Sequence, residues 1–266
     1  MQMVAAKSTL LKWINVLAFA LTVVVNSVAG STKIIGGNTT ADVSNANPTL
    51  VTPAGYVFSI WGVIYILLGI FVVFQALPSQ KEKGYQEKIG WLFVLSSLLN
   101  IAWLFLWQFE YLSLSVFVMF LLLATLIAIY LRLNIGKSTV SLRERLAVHL
   151  PFSVYLGWIT IASIANVAAT LVSVNWDGFG VSNGTWASTG AQTWAALILI
   201  IALLITLLVI ATRRDVAYGL VIIWASVGIA VNQSKYSNIV MVAEISAIIV
   251  AIALVASILL TIFKRK

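Results

Sequence analysis

No cysteine occurs among the 266 residues, which removes disulfides, thiolate metal sites and cysteine nucleophiles together. The one histidine, His149, excludes a metal centre built from several imidazoles. Charge is also scarce: 9% of residues are charged and 61% are hydrophobic, with a mean hydropathy of +1.04. A soluble domain carries about 25% charged residues, so water cannot be the main solvent of this chain. The apolar runs lack period-two alternation, which excludes the strands of a membrane barrel and leaves helices as the way to satisfy the backbone in hydrocarbon. Neither an inverted nor a parallel internal repeat is present, so a two-fold transporter architecture is not expected. No nucleophile–base pair or metal cluster stands out either, and covalent catalysis is not expected.

What remains is an all-α integral membrane protein. Apolar runs at about 11–30, 53–77, 90–109, 112–133, 148–173, 192–212, 216–232 and 238–263 each approach the roughly 20 residues a helix needs to cross a bilayer. Eight spans place both termini on one side. Of the sixteen Lys and Arg residues, all but Lys33 and Lys235 then fall on that same side, which the positive-inside rule identifies as the cytoplasm of a plasma membrane. The net charge of +8 is therefore a topological signal, not a nucleic-acid surface. The first span also reads as a cleavable signal peptide, with Lys7 and Lys12 ahead of an apolar stretch that ends in small residues. An uncleaved helix is expected, with cleavage left open. The larger outer loops, 31–52 and 174–191, carry Gly36, Gly37 and Pro48 and Asp177, Gly178, Gly180 and Gly184.

Tryptophan is abundant, with ten copies. Trp13, Trp91, Trp107, Trp176, Trp186 and Trp194 lie near span ends, where indoles anchor at headgroup depth. Trp61, Trp103, Trp158 and Trp224 lie on the order of 10 Å or more inside their spans by the helical rise. Three of these share a helix face with polar or small residues. The second span carries Phe58, Trp61, Gly62, Tyr65 and Gly69 in register, the third Asn100, Trp103 and Trp107, and the fifth Tyr155, Trp158, Ala162 and Asn166. An asparagine in hydrocarbon needs a partner, so Asn100 and Asn166 should face the bundle interior or a cavity. These stripes fit a ligand cavity or plain interhelical packing.

The segment Thr52-Pro53-Ala54-Gly55-Tyr56-Val57-Phe58-Ser59-Ile60-Trp61-Gly62-Val63-Ile64-Tyr65 resembles the second-helix signature of the TspO/MBR family, the tryptophan-rich sensory proteins that include the translocator protein. Asn100-Ile101-Ala102-Trp103 is similar to the family's third-helix Asn-Trp-Ala-Trp motif, and Tyr155-Leu156-Gly157-Trp158 with Asn166 to its fifth-helix pattern. The resemblance covers about residues 10–174 and implies a five-helix bundle there; the three spans within 175–266 are read as an extension on which the resemblance is silent. It further implies an outer-side cavity, lidded by 31–52, that binds a porphyrin-like or other planar hydrophobic ligand without covalent attachment. Phe58, Trp61, Tyr65, Asn100, Trp103, Trp107, Tyr155, Trp158, Ala162 and Asn166 are the candidate ligand-binding residues. The aromatic-then-basic pattern for sterol is missing after Asn166.

Two other classes stay in view. Glu244 lies about 9 Å inside the last span by the helical rise, and could serve a proton-coupled secondary transporter of a small solute or form a structural pair with Lys235 or Tyr236. A tetrapyrrole-modifying membrane enzyme is the third. His149 reads as a solvated residue at the inner mouth of the fifth span, so axial ligation of a haem is not expected, and propionates would meet headgroups or Lys33. The expected partners are the lipid bilayer and the planar ligand, with self-association open.

Overall fold

The computed structural model describes residues 2–80, 84–176 and 189–263. Lys81, Lys83, Asp177, Gly178, Gly180, Gly184, Trp186, Lys264, Arg265 and Lys266, to which the sequence assigned sidedness, loop or anchoring roles, lie outside the described residues, as does the side chain of Lys7. The described chain is helical and contains no strand. In order, the helices are α1 (Gln2–Ser31), α2 (Thr40–Ala46), α3 (Ile60–Ala76), α4 (Gly84–Ile89), α5 (Leu92–Gln108), α6 (Leu112–Arg132), α7 (Leu142–Glu144), α8 (Leu150–Ser173), α9 (Thr189–Arg213), α10 (Val216–Asn232) and α11 (Ser237–Phe263). A 3-10 turn at Gly55–Ser59 leads into α3, and a π turn at Arg145–His149 joins α7 to α8.

Six stretches are long and apolar enough to cross a membrane: Leu10–Ser31, Gly55–Ala76, Leu112–Arg132, Leu142–Ser173, Gly190–Arg213 and Ser237–Phe263. α5 and α10 are apolar but only 17 residues long. The outward faces of the long helices carry Leu204 and Leu208 on α9, Ile252 on α11 and many other exposed aliphatic side chains, a surface that only lipid solvates well.

Helix ends have local causes. Ser141 accepts from the Glu144 N–H at 3.2 Å to start α7, and Asp215 accepts from the Tyr218 N–H at 3.2 Å to start α10. Asn134, Asn175 and Arg214 take left-handed backbone just after α6, α8 and α9. The π turn precedes Pro151, whose ring would crowd a carbonyl of the preceding helical turn and whose nitrogen cannot donate. There Leu150 N–H reaches back to the Arg145 carbonyl, one residue further than in an α-helix. This turn packs on α3 and buries His149 at 5% exposure, which corrects the solvated position expected of it.

The chain folds as two compact units, and each is interleaved in sequence. Unit 1 comprises 1–43 and 60–156, and unit 2 comprises 44–59 and 157–266. Within unit 1, α1 packs on α3 and α5, and α5 packs on α6. Phe71, Phe93 and Phe152 form an aromatic triangle with ring centroids 5.1–6.3 Å apart. Within unit 2, α11 packs on α9 and α10. Gly157 lets α8 approach α10, since a Cβ there would lie 3.3 Å from the Tyr218 carbonyl and 3.1 Å from Val221. The Tyr218 hydroxyl and Thr160 Oγ1 are 3.2 Å apart across the same contact.

Candidate ligand site

Helical spacing places Trp61 and Tyr65 one turn apart on α3, and Trp103 and Trp107 one turn apart on α5. Both pairs stack, with centroids 5.7 Å and 5.8 Å apart and ring planes within 20° and 28°. Trp61 also stacks on Trp103 at 6.5 Å and 26°, so Tyr65, Trp61, Trp103 and Trp107 form one continuous run of nearly parallel rings. Tyr155 closes on Trp61 edge-on at 6.1 Å. Trp107 is buried at 5% exposure and donates Nε1–H to the Thr40 carbonyl at 3.2 Å, so it is not the headgroup anchor its position near a span end suggested. Trp13, by contrast, is 64% exposed.

A polar clamp lies beside this wall. Asn26 Nδ2 donates to the Thr22 carbonyl at 2.8 Å and to Asn100 Oδ1 at 2.7 Å. A carbonyl can only accept, so the first bond orients the Asn26 amide, and the second then obliges Asn100 to present its oxygen to Asn26. The Asn100 NH2 group must point the other way. It is fully buried and faces the Tyr155 hydroxyl, with which it forms no well-aligned hydrogen bond. An unmatched buried donor costs about 1–3 kcal/mol, so its place next to an aromatic wall is informative.

The first half of the loop between α1 and α3 is sewn to the end of α5. Gln108 Nε2 donates to the Ala29 and Asn38 carbonyls at 2.6 Å and 3.0 Å, and Asn38 donates to Glu110 Oε1 at 3.0 Å. Gly36 adopts a φ of +65° and rests on the Gln108 carbonyl, where no other residue's Cβ would fit. α2 opens with a capping box: Asp42 N–H donates to Thr39 Oγ1 at 3.1 Å and Thr39 N–H to Asp42 Oδ2 at 2.9 Å. That backbone N–H, followed by Lys33 at 3.1 Å, holds the Asp42 carboxyl below the usual carboxylate range. Lys33, expected to meet propionates, thus has a partner within its own loop.

Of the candidate residues, Trp61, Tyr65, Asn100, Trp103, Trp107 and Tyr155 come together in unit 1. Phe58, Trp158, Ala162 and Asn166 belong to unit 2, where Phe58 packs edge-on against Trp158 at 5.8 Å and Asn166 is buried. Asn26 was missed by the sequence reading, although an asparagine inside the apolar first span was a signal for it. Trp224, placed deep by its position, lies 39% exposed on α10, edge-on to Tyr56 at 5.3 Å. Glu244 lies on the exposed face of α11 beside Met241, Ile245 and Ile248, and forms no ion pair among the described residues. No cluster of three or more His, Cys, Asp or Glu residues suited to a metal occurs among the described residues.

A family model described as TSPO-like protein matches residues 12–260. The chain belongs to the TSPO-like protein family. The match runs through α9, α10 and α11 as well, so these helices lie inside the TSPO-like pattern and not beyond it. No curated protein and no solved structure matches the chain.

Proposed function

We propose that this TSPO-like membrane protein binds a planar hydrophobic ligand of the porphyrin class against the Trp61–Trp103 wall of unit 1, held by stacking and by one hydrogen bond from Asn100. The observation that carries this reading is the fully buried Asn100 amide, turned by Asn26 so that its NH2 faces the Tyr155 hydroxyl without a well-aligned bond, among five clustered aromatic rings. Flat apolar rings with one placed polar group suit a planar ligand whose edge bears a carbonyl oxygen or an imine-type nitrogen. A third ring between two others needs about 7 Å, twice the ordinary carbon contact, and the Trp61–Trp103 centroids are 6.5 Å apart. The ligand therefore stacks beside the array or moves half-buried Trp61 aside; it does not slip between rings at rest. In this reading the protein binds and senses or carries its ligand without covalent chemistry. Glu244 on an exposed helix face offers a proton-coupled carrier no buried carboxylate at that position.

The same reading includes eight crossings, with α5 and α10 spanning at about 26 Å each by the helical rise, both termini cytoplasmic and a plasma-membrane location. Protoporphyrin titration of the purified protein, followed by tryptophan fluorescence, is the test. Saturable quenching is expected, with affinity lowered roughly three- to tenfold in Trp61→Ala and Trp103→Ala. Absence of saturable quenching, or quenching that ignores both substitutions, overturns the proposal.

A further inference from the structure

The second half of the loop between α1 and α3, residues 49–59, belongs to unit 2, and α10 supplies a dense set of fastenings there. Ala54 N–H donates to the Gly228 carbonyl at 3.0 Å, and Trp224 Nε1–H donates to the Val57 carbonyl at 3.2 Å. Asn232 Nδ2 donates to the Thr52 carbonyl at 3.0 Å. Gln233, which caps α10, shares its Nε2 between the carbonyls of Thr49 at 3.0 Å and Thr52 at 3.2 Å. Val57 is fully buried, and its Cγ2 occupies the place where a Cβ on residue 228 would stand.

The physical pattern is specific. A segment outside α-helix and strand must find partners for its own peptide groups, and three of these carbonyls find them in side chains between the middle of α10 and its C-terminal cap. Gly228 provides both the notch for Val57 and a helix carbonyl with a spare lone pair for Ala54. Each such bond contributes only about 0.5–1.5 kcal/mol net, and the Asn232–Thr52 bond is exposed, so the set can release and re-form as a group.

We infer that the C-terminal half of α10 is a catch that holds residues 49–57 in place and releases them as one group. Gln233 and Gly228 act here as positioning residues.

Hydrogen exchange on the full-length protein without ligand tests the catch. Gln233→Leu should speed exchange across 49–57 on the order of tenfold while leaving 32–43 unchanged. Gly228→Ala should do the same, and adding Val57→Ala should restore protection by vacating the notch. If Gly228→Ala does not fold, Gln233→Leu and Trp224→Phe still decide the matter. Unchanged exchange in 49–57 in the variants that fold, or a rise spread evenly over all loops, overturns the catch.

Discussion

At the scale of single residues, the Asn26–Asn100 bond makes the most specific claim. A double-mutant cycle on Asn26→Ala and Asn100→Ala, read by unfolding in detergent or bilayer, should give a coupling of about 0.6–1.7 kcal/mol, the range for interhelical hydrogen bonds in membranes. A coupling near zero would mean that the Asn100 amide is not oriented by its neighbour, and the directional argument for a ligand acceptor would go with it. Gly36 makes a second claim, because its positive φ and its rest on the Gln108 carbonyl act together. Gly36→Ala should free the segment 32–43, seen as faster proteolysis or amide exchange there, with the helices unaffected.

Among the elements, α2 carries a pH dependence whose sign follows from Asp42. Its carboxyl is held below the usual range by the Thr39 N–H and then by Lys33, so the ionised form is the one that stabilises the folded loop. That contribution is present above the unfolded carboxylate value and fades as pH falls through the folded one. Exchange protection of residues 39–46 should stay level from neutral pH down to about 4 and decline below it, and Asp42→Asn should remove the dependence. The long helices were legible in sequence because a run of about 20 apolar residues in a chain with few charges has almost no alternative to spanning. α2 and α4 were not, since seven and six residues of mixed polarity carry no periodic signal. The burial of His149 was missed for a different reason. Its solvated placement rested on its position at the mouth of a span, whereas the π turn that carries it packs on α3. Trp61, Tyr65, Trp103 and Trp107 could be picked out by spacing alone; how Asn100 is aimed depended on Asn26, which is 74 residues away along the chain.

For the molecule as a whole, the absence of cysteine becomes an experimental asset, because any introduced thiol is the sole one. With eight crossings, Lys33→Cys and Lys235→Cys should react with a membrane-impermeant maleimide from outside intact cells. Lys137→Cys and Arg213→Cys should react only after permeabilisation. Equal outside labelling of residues 137 and 235 would remove a crossing between them. The two compact units exchange chain at 43/44, 59/60 and 156/157, so neither is a contiguous stretch of sequence. A fragment ending near residue 174 would keep 44–59 yet lack α10, and is expected to be degraded or misfolded in cells, as judged by its yield and gel-filtration profile. The interleaving also limits how the protein can be recombined. Residues 157–266 are not a cassette: grafted onto a relative, they would meet a foreign segment at the Gly228 notch, and a working chimaera would need to import 44–59 from the same parent.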